Sequence, residues 1–182
     1  MFFPLEIAIA SLLALIFSAY ILVGGFIWGA GYQPVPKKSL LRMIELSSPS
    51  ERTNVYDLGS GFGRIVIEVA RRTGARCTGV EIDPVKCFWA SWAVRRNGFQ
   101  ERVRIIRSNL LEADISSADV VFVFLWSRIM ERLKEKITSE MKPGSLVVSY
   151  WHRFRGWEPE ASDEKLRVYL YRVPHTASHS QS

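Results

Sequence analysis

The feature that most constrains the fold of this chain is a glycine-rich loop between a predicted strand and a predicted helix. Residues 54–58 are predicted to form a buried strand that ends in a glycine turn. Three glycines follow it at alternate positions, Gly59, Gly61 and Gly63. Glycine is used where the backbone must approach a ligand closely or adopt conformations that other residues avoid. The loop is therefore a candidate ligand-binding turn.

Strand-like and helix-like segments alternate through the rest of the chain. The pattern predicts helices over 39–46, 65–72, 84–96 and 127–140, and strands over 54–58, 77–82, 103–107, 119–125, 145–151 and 166–173. Strands separated by helices imply βαβ units and a sheet covered on both faces. We therefore predict an α/β fold with a Rossmann-like, doubly wound and mainly parallel sheet.

An acidic residue, Glu81, ends the second predicted strand. About 20 residues beyond a glycine-rich loop, a carboxylate can accept hydrogen bonds from ribose hydroxyls. The loop is not a nicotinamide fingerprint, because that pattern places its third glycine where this chain has Arg64. Such fingerprints also do not usually carry an acidic residue at the position of Asp57. A different ribose-bearing cofactor is indicated.

Two segments, Val55 to Gly63 and Gly79 to Asp83, resemble motifs I and II of class I S-adenosylmethionine-dependent methyltransferases. From about residue 32 to 157 the chain resembles archaeal broad-specificity protein lysine methyltransferases and their membrane-anchored mitochondrial relatives. The resemblance implies S-adenosylmethionine as the cofactor. It implies these cofactor-binding residues: Tyr32, Asp57, Gly59, Ser60, Gly61, Gly63, Glu81, Ile82, Asn109 and Leu110. Asn109 stands where the family often has an Asp that binds the adenine amino group, and an amide oxygen can accept that hydrogen bond.

Four aromatic residues lie at or beyond the ends of predicted strands: Phe124, Trp126, Tyr150 and Trp151. Ligands of open α/β sheets bind at this edge. Aromatic side chains there would form an apolar slot that disfavours an ammonium and lowers the pKa of an acceptor lysine. They would also attract a cationic sulfonium. We predict that these four residues line the acceptor slot. The alternative for each of them is packing in the core or close to the membrane.

The N-terminal residues 7–36 contain no Asp, Glu, Lys or Arg. A helix over residues 7–30 would be about 36 Å long, enough to cross a hydrocarbon core of about 30 Å. The basic residues Lys37, Lys38 and Arg42 follow it. The positive-inside rule then places the N-terminus outside and the catalytic domain in the cytoplasm. We predict a single-pass transmembrane anchor over 1–31, a methyltransferase domain over 32–174 and a flexible tail over 175–182.

The distribution of charged residues, cysteines and histidines argues against nucleic acid and metal ions as partners. The net charge of +6 suits anionic lipid or acidic protein as a partner. The basic residues occur singly and in pairs, and this distribution argues against nucleic acid. The two cysteines and three histidines do not have the spacing of a metal site, so we predict no metal.

The expected function is S-adenosylmethionine-dependent N-methylation of lysine side chains on membrane or membrane-adjacent proteins. The resemblance links an (Asp/Asn)-Pro-Pro-(Tyr/Phe) motif after the fourth strand to nucleobase methylation, and this chain lacks that motif. Two alternatives stay open. One is a small-molecule or lipid methyltransferase, and the other is a catalytically inert S-adenosylmethionine-binding module.

Overall fold

The computed structural model describes residues 5–27, 33–125 and 127–174, and the chain divides into two compact units. The first unit, Met1–Pro34, contains helix α1 (Leu5–Ile27). The described side chains of α1 end at Ser18. Within the described residues, no helix has both the length and the apolar character needed to cross a membrane. The structure therefore does not support the predicted transmembrane helix. The predicted domain limits stay predictions, and the predicted tail lies outside the described residues.

A seven-stranded sheet forms the centre of the second unit, Val35–Ser182. Its strands are β1 (Asn54–Leu58), β2 (Arg76–Glu81), β3 (Val103–Arg107), β4 (Val120–Val123), β5 (Leu146–Tyr150), β6 (Ala161–Asp163) and β7 (Val168–Arg172). Their order across the sheet is β3-β2-β1-β4-β5-β7-β6. The pairs from β3 to β5 are parallel, whereas β7 runs antiparallel to β5 and β6. The predicted mainly parallel α/β sheet is confirmed.

Helices pack on both faces of the sheet, as α2 (Lys37–Ser47), α3 (Arg64–Thr73), α4 (Pro84–Arg96) and α5 (Ser127–Glu140). Strand β4 shows how the faces divide, because successive side chains of a strand point to opposite sides. Val120 and Phe122 join the core that contains residues of α2, α3 and α4. Val121 and Val123 join the core that contains residues of α5. The sheet is doubly wound, as the alternation of elements predicts.

The strand order reverses between β1 and β4, which places a crevice at their carboxyl ends. From β1 the chain builds β2 and β3 towards one edge, and it then returns to build β4 and β5 towards the other. Open α/β sheets bind ligands at such a reversal. The glycine loop follows β1 directly, so the fold places it at this crevice.

The last strand pair differs from the sequence prediction. One strand is predicted over 166–173, but the structure has two, and the additional strand β6 reads Ala-Ser-Asp. Such a sequence lacks the β-branched and aromatic residues that mark strands. Its pairing with β7 is accompanied by an exposed ion pair next to it, in which Arg172 Nε lies 2.6 Å from Glu160 Oε2. Strand β6 therefore depends on tertiary pairing.

Candidate functional site

Backbone hydrogen bonds hold the loop after β1 against β2. The N–H groups of Gly59 and Ser60 both donate to the carbonyl of Val80, at 2.8 and 2.9 Å. The backbone φ angles of Gly59, Gly61 and Gly63 are +87°, +55° and +77°. Residues with a side chain rarely adopt these angles. The three glycines are thus needed by the backbone conformation of the loop.

The three glycines differ in what surrounds them. A Cβ atom at Gly59 would lie 3.2 Å from Leu125 Cδ2, and one at Gly63 would lie 3.2 Å from Ala90 Cβ. Among the residues that the structure describes, no atom lies within 4 Å of the corresponding position at Gly61. The loop is therefore packed against protein at both ends and open in its middle, where a ligand can approach the backbone.

Glu81 connects the loop to the end of β2. One carboxylate oxygen accepts a hydrogen bond from the N–H of Gly61 at 2.8 Å. The other oxygen accepts from the N–H groups of Ile82 and Asp83, both at 3.0 Å. Glu81 is buried, whereas the Ile82 side chain is 39% exposed. The carboxylate fixes the loop, and the oxygen that accepts from Gly61 keeps one lone pair for a further hydrogen bond.

Two buried polar atoms beside the loop lack hydrogen-bond partners within the described part of the chain, Asp57 Oδ2 and Ser60 Oγ. Asp57 is only 2% exposed at the end of β1. Burial raises the pKa of Asp57 to about 7. The negative charge of Glu81 also raises this pKa, and the positive charge of Arg64 lowers it. Native proteins rarely leave buried polar atoms unpaired. Such atoms at an open glycine loop fit a polar ligand.

The segment after β3 lies at the same edge, because the N–H of Ser108 donates to the backbone carbonyl of Glu81 at 3.0 Å. Asn109 and Leu110 follow immediately. The side-chain oxygen of Asn109 accepts a hydrogen bond from the N–H of Leu111 at 3.1 Å. A second lone pair remains on that oxygen. Binding of the adenine amino group by Asn109 stays a prediction.

Arg64 is a residue of this region that no sequence pattern assigned to the site. Its guanidinium donates to the backbone carbonyl of Val35, and its charge lowers the pKa of Asp57. Arg64 thus connects the start of α3 with the segment that precedes α2. Tyr32, predicted to bind the cofactor, lies outside the described residues.

Three of the four predicted acceptor-slot residues meet beyond β4 and at the end of β5. The rings of Phe124 and Tyr150 are edge to face with centroids 4.7 Å apart, and the Tyr150 and Trp151 centroids are 6.0 Å apart. We call Phe124, Tyr150 and Trp151 the aromatic wall. Tyr150 is buried in the core and Phe124 packs against it, but Trp151 is 42% exposed. Trp126 lies outside the described residues.

Trp151 is held in an unusual backbone conformation. Its φ is +74°, a region that costs a non-glycine residue about 1–2 kcal/mol. The N–H of Trp151 donates to the carbonyl of Arg167 at 2.8 Å, and the Arg167 guanidinium lies 3.7 Å from the centre of the Trp151 ring. The sequence contains no signal of this contact, because the two residues meet only through the pairing of β5 with β7.

The chain resembles known methyltransferases over most of its length. Residues 57–161 match the family model described as the ANTKMT methyltransferase domain. The chain is 40% identical over 147 residues to a protein-lysine N-methyltransferase of Saccharolobus islandicus, which covers 77% of this chain and 91% of that protein. It is 28% identical over 123 residues to a lysine N-methyltransferase of Xenopus laevis that is named for an ATP synthase component. That match covers 68% of this chain and spans about half, 52%, of the relative.

A solved structure supports the same relationship. It is described as an RNA methyltransferase from Salinibacter ruber in complex with S-adenosyl-L-homocysteine. Its TM-score with this chain is 0.76 at 36% identity, and the match covers 82% of this chain and 99% of that one. The fold is thus shared with a methyltransferase structure that this chain matches over almost its whole length.

Proposed function

The chain belongs to the ANTKMT methyltransferase domain family, and we propose that it methylates lysine side chains of proteins with S-adenosylmethionine as the methyl donor. The observation that carries this proposal is the glycine loop, which Glu81 fixes at Gly61. Beside it lie two buried polar atoms that have no hydrogen-bond partner in the described part of the chain. The names of the relatives support the choice of lysine. The Saccharolobus relative matches over 91% of its own length.

The residues present fit S-adenosylmethionine. The Glu81 oxygen that accepts from Gly61 has one lone pair left for a ribose hydroxyl, and Asp57 Oδ2 can accept a hydrogen bond from a cationic group. The open space at Gly61 admits a ligand to the loop backbone. When bound, the cofactor supplies a methyl group already activated on a sulfonium. The protein must then hold the acceptor in line and in its neutral form, and such positioning supplies much of the rate.

The aromatic wall supports an amine acceptor. An apolar surface disfavours an ammonium and lowers the pKa of a lysine placed against it. The guanidinium of Arg167 on Trp151 adds a positive charge at the exposed end of the wall, which acts in the same direction. We propose that Phe124, Tyr150 and Trp151 shape the slot, with the undescribed Trp126 as a fourth member.

RNA is the second candidate substrate, because the Salinibacter structure is described as an RNA methyltransferase. Two features of this chain argue against it. Strand β4 is followed by Phe-Leu-Trp-Ser instead of a motif of the (Asp/Asn)-Pro-Pro-(Tyr/Phe) type, and the basic residues form no run of five or more. Protein lysine is therefore the proposed acceptor.

We further propose that α1 attaches the chain to a membrane, so that its substrates are membrane or membrane-adjacent proteins. The only charged residue of α1 is Glu6, and its described large apolar side chains are 48–74% exposed. Leu12, Leu13, Leu15 and Ile16, which point in different directions around the helix, are all among them. The described residues contain no helix that meets the requirements for a span, so the support is the sequence and this exposure.

The acceptor is tested by methyl transfer from radiolabelled S-adenosylmethionine to membrane fractions, followed by separation of protein, lipid and RNA. We expect the label on lysine of membrane-associated proteins, with a rate that rises with pH as more amine loses its proton. Arg132→Gln on the exposed surface of α5 is the matched control and should keep full activity. Label confined to RNA or lipid would overturn the lysine proposal, and cofactor binding without any transfer would indicate an inert binding module.

The anchor has its own test. The basic residues after α1 predict that a reporter fused to Ser182 faces the cytoplasm and a tag before Phe2 faces outside. Recovery of the full-length chain in the supernatant of a carbonate wash would contradict membrane insertion.

A further inference from the structure

Helix α4 carries its largest side chains on its outer surface. Phe88, Trp89 and Trp92 are 65%, 47% and 47% exposed, whereas the small residues Ala90 and Val94 of the same helix are buried. A helix that only covers a sheet turns its large apolar residues inward and its polar residues outward. The outer face of α4 therefore has the composition of a contact surface.

The exposed rings form one continuous surface. Phe88 and Trp89 meet edge to face with centroids 5.7 Å apart, and Trp89 and Trp92 do the same at 5.7 Å. The 38% exposed Val85 extends the surface by one helical turn. We call Val85, Phe88, Trp89 and Trp92 the aromatic stripe. Contiguous apolar surface with a polar rim marks interaction sites.

A groove runs beside the stripe, between α4 and β3, which is an edge strand of the sheet. Its volume is about 400 Å³. Phe88, Trp92 and Ile105 provide apolar walls, and Arg95 and Arg107 provide two guanidinium groups. Such a combination suits a ligand with an apolar part and a phosphate.

All the charged residues of α4 itself are basic. Helix α4 contains Lys86, Arg95 and Arg96 and no acidic residue. Lys86 pairs with the helix-capping Asp83 at 3.7 Å, and the Arg96 guanidinium lies 5.4 Å from the centre of the Trp92 ring. Trp and Phe beside Lys and Arg are typical of helices that lie in the interface of an anionic membrane.

Single-stranded nucleic acid is the other polyanion that binds aromatic and basic residues, and the ring geometry does not favour it. Bases stack on accessible ring faces. Here neighbouring rings pack edge to face at interplanar angles of 79° and 84°, and Arg96 lies over Trp92, so ring faces are covered by protein. A surface of ring edges and packed faces suits insertion among lipid headgroups better than stacking.

We infer that the outer face of α4 is a second membrane contact, on the catalytic unit itself. The aromatic stripe inserts into the headgroup region, and Arg95, Arg96 and Arg107 bind the phosphates of anionic lipids. Because α4 begins directly after Glu81 and Asp83, this contact starts at the cofactor-binding edge and brings that edge to the bilayer surface. The inference uses residues of the catalytic unit alone and does not require α1 to span the membrane.

The test uses the full-length chain in vesicles of phosphatidylcholine with phosphatidylglycerol that contain a photoactivatable lipid, and adducts are mapped by mass spectrometry. We expect adducts on residues 85–96, which fall in vesicles of phosphatidylcholine alone and in high salt. Adducts confined to α1 would overturn the contact and leave the anchor in place. Adducts on 85–96 without any on α1 would support the contact and count against the anchor.

Two variants and a control identify the residues responsible. Arg95→Gln and Arg96→Gln should each lower the adducts on α4 up to about fivefold in anionic vesicles. The triple variant Phe88→Ser, Trp89→Ser and Trp92→Ser should abolish them, while Arg132→Gln on α5 should not change them. Cofactor affinity, measured in parallel, verifies that each variant is folded. Adducts unchanged in the arginine variants, or crosslinking of 85–96 to single-stranded RNA in preference to lipid, would overturn the proposal.

Discussion

The glycine loop and the aromatic wall lie at the same edge of the sheet, but different interactions hold them. Backbone N–H groups of Gly59, Ser60 and Gly61 bind to β2, and one carboxylate, that of Glu81, accepts three hydrogen bonds. The aromatic wall depends instead on side-chain packing among Phe124 and two residues at the end of β5. The proposed cofactor site and the proposed acceptor slot thus depend on different interactions, and we expect mutations to affect cofactor affinity and turnover independently.

The largest expected effect is that of Glu81→Ala on cofactor affinity. The change leaves three backbone N–H groups of the loop and β2 end without their acceptor. Charge-assisted hydrogen bonds contribute about 1.5–3 kcal/mol each, so we expect affinity for S-adenosylmethionine to fall about 100-fold or more. Calorimetry measures it. Glu81→Gln keeps an acceptor oxygen but not the charge, so its affinity for the cofactor should be intermediate. Unaltered binding by Glu81→Ala would refute the proposed role of Glu81.

The second-largest expected effect is on the pH dependence of the free energy of unfolding, and it arises from Asp57. Its pKa is about 7 in the folded protein against an ordinary value of 3.8. The folded state therefore holds the proton more tightly, and the stability this provides is complete below pH 3.8 and is lost as pH rises through 7. Between about pH 5 and pH 8 the free energy of unfolding should fall by about 2–3 kcal/mol from this group.

Asp57→Asn should remove this part of the pH dependence, because an amide does not titrate. Denaturant unfolding at several pH values measures it, with the wild-type chain as the reference. A bound cation favours the ionised carboxylate, so cofactor binding near about pH 6 should release protons, which calorimetry in buffers of different ionisation enthalpy detects. An equal pH dependence in Asp57→Asn and wild type would show that Asp57 is not its source.

A smaller effect is expected at the acceptor side, where Trp151→Gly separates function from stability. Glycine adopts the φ of +74° without strain, so the free energy of unfolding should stay equal or rise by about 1 kcal/mol. Turnover should fall about tenfold, because the exposed ring of the wall is lost. Cofactor affinity should not change. Phe124→Ala should also lower turnover more than cofactor affinity, and loss of both together in either variant would indicate a packing role only.

The smallest expected effect is that of Arg167→Gln on turnover. The variant removes the guanidinium that lies 3.7 Å from the Trp151 ring centre, but the backbone hydrogen bond between the two residues remains. Exposed cation–π contacts contribute about 0.5–1 kcal/mol, so turnover should change about two- to fivefold. The pH profile should also shift towards higher pH, because a positive charge that lowers the pKa of the acceptor lysine is gone. Arg167→Lys should restore part of the profile.

The regular elements of the catalytic unit could be predicted because their signals are local. The strand predicted over 54–58 and the helix predicted after Asp83 both agree with the structure. Strand β4 ends at Val123, although the apolar run continues to Leu125. Periodicity does not show where a strand leaves the ladder. Glu81 was predicted as an acceptor for a ligand, but its bond to the N–H of Gly61 depends on how the loop folds back against β2.

By itself, the amino-acid sequence determined the α/β architecture, the glycine loop and the carboxylate at the end of β2, because hydrophobic period and glycine position act within a few residues. Only the tertiary structure decided what those elements bring together. Trp151 takes a left-handed φ and meets Arg167 only because β5 pairs with β7. The large side chains of α4 face outward only because its small residues, among them Ala90, pack on the protein. Contacts between distant residues depend on packing of the whole sheet, which no local pattern encodes.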